Sequence, residues 1–130
     1  MPGRVLDTSV LINHWRRSRT SWPNARETRD WALRLVDVRQ TNLIFSPVYL
    51  EFNCGVQSAE ELALAEAFLS VFEVKDGWDV RSDDLQEAAR LARRVPRDGK
   101  RRQFADCLIR ALAIRFRCEV LSDDRTFPRH

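Results

Sequence analysis

The sequence predicts an α/β fold, an α/β/α sandwich around a short central parallel sheet, in a single domain over residues 1–130. Two observations lead there. Four short apolar runs, at residues 4–6, 42–46, 72–74 and 119–121, read as buried strands bounded by turn or cap residues. Between them lie longer segments with apolar side chains at helical spacing, and strands that alternate with helices build parallel sheets.

Arg4-Val5-Leu6 runs directly into Asp7-Thr8-Ser9, and a helix is expected to start near Ser9, an acceptable N-cap. Residues 16–22 are polar and read as irregular. Pro23 then opens a helix from about residue 24 to 39, with Trp31, Leu35 and Val38 on one face at spacings of four and three. Residues 42–46 form the second strand, and Pro47 opens the next helix at a position that suits proline. Ser58 begins another helix, running to about residue 71, with Glu61 at the capping-box position. Residues 72–74 form a third strand, ended by Asp76-Gly77. Ser82-Asp83-Asp84 precede a helix that runs to about residue 94 and is broken by Pro96 and Gly99. A helix over 103–116, a strand over 119–121 and a short tail complete the chain.

Composition narrows the functional classes. Hydrophobic residues at 44% and charged residues at 32% give the balance of a folded globular domain rather than a disordered chain. No apolar stretch approaches the roughly 18–20 residues of a membrane span, and Asp7 comes too early for a secretory signal, so a cytoplasmic location is expected. The three cysteines form no Cys-x-x-Cys or Cys/His pattern, and Cys107 and Cys118 are expected to be small buried hydrophobes. No zinc site is expected.

The net charge of +3 is unevenly spread. Residues 90–102 carry seven basic side chains against Asp98 alone, and residues 14–29 carry five arginines against Glu27. Two basic stretches beside an acidic remainder suit an electrostatic track for phosphates. Solvated Arg-rich faces and docking sites for acidic proteins have the same composition, and charge alone does not choose among these readings.

Four carboxylates are placed to do chemistry: Asp7, Glu51, Asp106 and Asp124. Each follows an apolar strand or sits in the helix after one, and in an open α/β sheet such strand ends converge on one crevice. Acids gathered there repel one another unless a cation lies between them. Each also has an ordinary structural reading. Asp7 can cap a helix, although an unpaired charge between two apolar runs is costly. Glu51, amid Val48, Tyr49, Leu50 and Phe52, can be a snorkelling or ion-paired helix residue. Asp106 shares a polar arc with Gln103, Arg110 and Arg117 that can be the solvated side of a buried helix. Asp123-Asp124 can form a turn.

The local sequences around these acids resemble those of the PIN-domain family. Val5-Leu6-Asp7-Thr8-Ser9-Val10-Leu11-Ile12 is similar to the family's opening strand and Asp. Pro47-Val48-Tyr49-Leu50-Glu51 is similar to its Glu-bearing helix segment. Phe104-Ala105-Asp106-Cys107-Leu108-Ile109-Arg110-Ala111-Leu112-Ala113 resembles its Asp-bearing helix. Val120-Leu121-Ser122-Asp123-Asp124-Arg125-Thr126-Phe127 resembles its closing element, with Ser122 in place of Thr. The matches run in the family's order, and the interval of 18 residues from Asp106 to Asp124 fits its compact members. The compact size most resembles VapC-type toxins of type II toxin–antitoxin pairs.

The resemblance implies a ribonuclease site built from Asp7, Glu51, Asp106 and Asp124, acting both as catalytic residues and as ligands for Mg²⁺ or Mn²⁺. Ser9 would orient Asp7 and a water, and Asp123 would neighbour the fourth acid. Hard oxygen ligands suit these ions. In a two-ion site, with ions about 3.5–4 Å apart, the attacking and leaving oxygens are both stabilised. Arg97, Lys100, Arg101 and Arg102, just before the Asp106 helix, are placed to grip an RNA backbone without reading its sequence. Implied partners are RNA, a small cognate antitoxin and a second copy of the chain in a homodimer. Two departures stand out. The stretch from Trp15 to Arg29 is longer and more basic than the family's first helical hairpin, and only three residues follow Phe127.

Two rival classes remain. A haloacid-dehalogenase-like phosphatase also places an Asp after its first strand but needs a second acid two residues later, where this chain has Ser9. A catalytically inactive PIN-like module would hold RNA or protein through the basic stretches alone.

Overall fold

The computed structural model describes residues 3–94 and 104–123. Four strands, β1 (Arg4–Leu6), β2 (Leu43–Ile44), β3 (Glu73–Val74) and β4 (Glu119–Leu121), form one all-parallel sheet in the order β3-β2-β1-β4. Six helices accompany them: α1 (Thr8–Ser18), α2 (Ala25–Arg39), α3 (Ser46–Cys54), α4 (Ala59–Leu69), α5 (Ser82–Ala92) and α6 (Phe104–Phe116). The α/β fold read from the alternating pattern is the fold observed. No helix among the described residues is long and apolar enough to cross a membrane.

Strand order places the site. The chain leaves β1 toward β2 on one side and returns to β1's other side as β4, so the carboxyl end of β1 is the topological switch point, where such sheets open a crevice. Register fixes what meets there. Leu6 pairs with Leu121, and the Asp7 amide donates to the Leu121 carbonyl at 2.9 Å, so Asp7 and Ser122 leave the sheet side by side.

Val5 and Leu6 of β1, Ile44 of β2 and Phe45 just after it pack with Val10, Leu35, Phe68, Ile109 and Leu112 in one buried core. Trp15 is its aromatic hub, meeting Trp31, Phe52 and Phe68 edge-on with ring centroids 5.2–5.5 Å apart. One side chain thereby ties together α1, α2, α3 and α4, in the edge-to-face geometry that aromatic quadrupoles favour.

Burying Trp15 also explains a difference from the sequence reading. Residues 16–18, expected to be irregular, continue α1 to Ser18, with Arg16 and Arg17 in the last turn, where cations complement the helix dipole. A second difference lies in α6. Arg110 is only 7% exposed, whereas Phe104 and Ile114 are 71% and 58% exposed. The polar arc of this helix therefore faces the protein at Arg110, and apolar side chains stand in solvent. Ser58 caps α4 through the Glu61 amide at 3.1 Å, as the spacing predicts. The Glu61 side chain reaches Arg19 at 3.8 Å.

The N-terminus of α3 uses a device that the local sequence does not show. Its N-cap, Phe45, supplies no side-chain acceptor. Buried Asp76 serves instead, from the turn after β3, accepting from the Ser46 amide at 2.8 Å and the Ser46 hydroxyl at 2.6 Å. That turn holds Gly77 and Trp78 both at positive φ, 60° and 66°, closed by the Asp79 amide on the Asp76 carbonyl at 3.0 Å. Glycine adopts the left-handed region freely, while Trp78 does so at a cost. Edge-on contact of Trp78 with Tyr49 of α3, 5.2 Å between centroids, offsets part of it.

Candidate functional site

Asp7 is 1% exposed and divides its carboxylate between two tasks. Oδ1 accepts from the Thr8 amide at 2.9 Å and caps α1. Oδ2 accepts from the Ser122 hydroxyl at 2.7 Å and, more weakly, from the Ser9 hydroxyl at 3.5 Å. The capping and chemical readings of Asp7 are thus compatible, since each uses a different oxygen. The two hydroxyls lie 3.3 Å apart, and with the Ser122 proton on Asp7 the single Ser9 proton is shared between Asp7 Oδ2 and the Ser122 oxygen.

Asp123 sits beside this group without joining it as an acid. Its amide donates to the Ser9 hydroxyl at 3.0 Å. Its carboxylate accepts from the Asn13 amide at 3.2 Å through Oδ2 and from the Arg39 guanidinium at 3.0 Å through Oδ1. Burial pushes its carboxyl up, but the Asn13 and Arg39 hydrogen bonds and the charges of Arg39 and Arg17 outweigh that and hold it below the usual carboxylate range. Asp123 is therefore an ionised anchor, with both oxygens occupied.

Glu51 is half-buried on α3 and lines a cleft of about 190 Å³ with Trp15 and Arg16 of α1, Arg19 just after it, Phe52 of α3 and Glu61 of α4. The longer, basic first hairpin thus contributes two arginines to the wall beside Glu51. Asp106 is half-buried in the first turn of α6, engaged in an interaction there, and α6 packs on α3. Asp124, and the basic group Arg97, Lys100, Arg101 and Arg102, lie outside the described residues.

Among the predicted site residues, Asp7, Ser9 and Asp123 are joined by direct hydrogen bonds through Ser122 and one another. Three contributors were not singled out from sequence as site residues: Asn13, Arg39 and Ser122 as a donor. Asn13 was findable, because it is a polar residue in an apolar helix, four positions after Ser9 and so on the same face. Arg39 carried no such signal, since an arginine in a helix's last turn is ordinary.

These features define a class, an α/β domain with a buried, hydroxyl-held carboxylate at the switch point of a parallel sheet. The family follows from comparison. The PIN domain profile matches residues 4–130, and the chain belongs to the PIN-domain family, whose members are generally nucleases that use divalent metal ions. No curated protein sequence matches it.

The described residues suit such an ion in donor chemistry. Among them no lysine or arginine ion-pairs with Asp7; the described groups that hold its carboxylate are the Thr8 amide and the Ser122 and Ser9 hydroxyls. A buried anion in that situation gains from a cation, and carboxylate and hydroxyl oxygens are the ligands Mg²⁺ and Mn²⁺ prefer. Among the described residues, no three His, Cys, Asp or Glu side chains are gathered as a metal-binding group.

Proposed function

We propose that this chain is a metal-dependent endoribonuclease, the toxin of a type II toxin–antitoxin pair, acting through Asp7, Glu51, Asp106 and Asp124. The observation that carries the reading is Asp7, a buried carboxylate without an ion-pair partner among the described residues, aimed by two hydroxyls at the switch point of a PIN-domain sheet. Asp7 and Asp106 would hold Mg²⁺ or Mn²⁺, and Asp124 would complete the set. Bound there, the ion would supply Lewis-acid stabilisation of the phosphate and a more acidic water. Glu51 would take up the proton of the attacking water. Arg97, Lys100, Arg101 and Arg102 would grip the RNA backbone, which makes binding strongly salt-dependent. By the family resemblance the 3′-oxygen would be the leaving group, so that water attack would leave 5′-phosphate and 3′-hydroxyl ends.

The partners in this reading are RNA, a small antitoxin encoded beside the gene, and a second copy of the chain. The test is cleavage of a structured RNA in Mg²⁺ or Mn²⁺ by the wild type and by Asp7→Asn. Cleavage by the wild type alone supports the reading. A folded, antitoxin-free wild type that stays inert in Mn²⁺ would favour an RNA- or protein-binding module instead. Growth arrest on expression, relieved by the neighbouring open reading frame, supports the toxin role. Unimpeded growth counts against it.

A further inference from the structure

We infer that Arg39 is a positioning residue for the acidic site: together with Asn13 it clamps Asp123, pins the end of β4 to α1, and so fixes the two hydroxyls that aim Asp7. This deepens the nuclease reading and rests on it. The connections are short and continuous. Arg39 Nη2 lies 3.0 Å from Asp123 Oδ1, and Asn13 Nδ2 lies 3.2 Å from Asp123 Oδ2. The Asp123 amide is 3.0 Å from the Ser9 hydroxyl, and Ser122, one residue earlier, donates to Asp7 Oδ2 at 2.7 Å.

Geometry distinguishes this clamp from an ordinary surface ion pair. Arg39 and Asp123 are 84 residues apart, on α2 and after β4, and both side chains are mostly withdrawn from solvent, at 30% and 24% exposure. Asp123 is gripped at both oxygens by different helices, so its backbone has little freedom to rotate. The next residue in sequence is Asp124, the fourth acid of the proposed site. The β1–β4 register ends at Leu6 and Leu121, so the described residues Ser122 and Asp123 lie past the strand pairing. The clamp takes over where the sheet stops. Groups that orient a metal-ligating carboxylate without touching the metal commonly matter about 10–100-fold in affinity or rate.

The experiment uses the full chain and compares wild type, Arg39→Ala, Arg39→Lys, Asp123→Ala and the Arg39→Ala/Asp123→Ala double variant. Three quantities are read: Mn²⁺ affinity by electron paramagnetic resonance of the free ion, kcat and KM on a structured RNA, and amide hydrogen exchange over residues 119–123 in metal-free protein. Each alanine variant should weaken Mn²⁺ binding and lower kcat by about tenfold or more, with KM within about twofold and exchange faster at Asp123. The double variant should be no worse than Asp123→Ala alone, because with Asp123 gone Arg39 has no contact left to lose there. Arg39→Lys should recover part of the loss and covers the case in which Arg39→Ala does not fold.

A raised KM with a shallower salt dependence and unchanged Mn²⁺ affinity would make Arg39 an RNA-phosphate contact and overturn the inference. Multiplicative losses in the double variant would also overturn it. If wild type binds Mn²⁺ but cleaves no RNA, the nuclease reading fails on its own. Mn²⁺ affinity and exchange then decide the clamp, and unchanged values in Arg39→Ala reject it.

Discussion

The Ser122 hydroxyl donates to Asp7 Oδ2 across 2.7 Å, joining residues 115 positions apart. Parallel pairing of Leu6 with Leu121 sets up this contact, since each residue is the first to leave its strand. The bond joins the candidate acid to the closing element of the family pattern. It also leaves Oδ1 free to cap α1.

Removing that donor should be felt in both stability and chemistry. Ser122→Ala is expected to lower unfolding stability by about 1–3 kcal/mol, the range for a hydrogen bond to a charged, buried group. RNA cleavage should fall by about tenfold or more as Asp7 loses its main orienting contact. Ser122→Thr keeps the hydroxyl and should retain most of both. Urea unfolding and initial cleavage rates check this, and wild-type values for Ser122→Ala would contradict it.

Asp7→Asn should separate capping from charge. Asparagine caps helices about as well as aspartate, so α1 should persist, while the buried negative charge disappears. In metal-free buffer the variant should melt at or above the wild-type temperature, because a buried anion without an ion-pair partner among the described residues is costly even when hydrogen-bonded. Thermal unfolding in chelator reads the sign. A melting point several degrees lower would mean that the Asp7 charge is already balanced without metal.

Asp76 makes a third prediction, at a distance from the acids. Asp76→Ala removes both acceptors from Ser46 and leaves α3 without a cap, which should cost about 2–4 kcal/mol in urea unfolding. Since α3 carries Glu51, cleavage should become temperature-sensitive while remaining measurable in the cold. A loss under about 0.5 kcal/mol, the size of an ordinary surface substitution, would show that α3 starts stably without this support.

His14 gives a pH dependence with a definite sign. Burial lowers its pKa, and the nearby Arg17, Arg34 and Arg39 charges add to that, against the opposing hydrogen bond to the Trp31 carbonyl at 2.7 Å. Between this lowered folded value and the unfolded value of about 6.5, the unfolded chain binds more protons. His14 therefore makes stability rise with pH in that window, and stability is lost as pH falls from about 6.5. Thermal melts between about pH 5 and pH 8 should show a flatter profile for His14→Gln. An unchanged slope would assign the dependence to other groups.

Most of the fold was legible in the sequence, because the strands are short β-rich runs closed by Asp7, Pro47 and Asp76-Gly77, and the helices carry their own caps at Asn24 and Ser58. What was not legible depends on long-range packing. Trp15 extends α1 because three aromatic rings from other helices surround it. Arg110 turns inward although the helical wheel groups it with polar residues. The acids Asp7, Glu51 and Asp106 were visible as residue types in a family order, and the capping reading of Asp7 is seen at the start of α1. Asp123 was not, because its partners Asn13 and Arg39 come from two other helices. Cys107 is buried as its apolar context implied, while Cys118 is half-buried, with burial pushing its thiol up against the opposing Lys75 charge.

The most direct test of the account is the chemistry of the ends it leaves. A labelled structured RNA is incubated with the chain and Mn²⁺, and each product terminus is analysed, with Asp7→Asn and chelator as controls. Attack by metal-activated water, with the 3′-oxygen leaving as the family resemblance implies, predicts 5′-phosphate and 3′-hydroxyl ends, formed by wild type and absent from both controls. Products ending in 2′,3′-cyclic phosphate, or cleavage that survives Asp7→Asn and chelator, would contradict it.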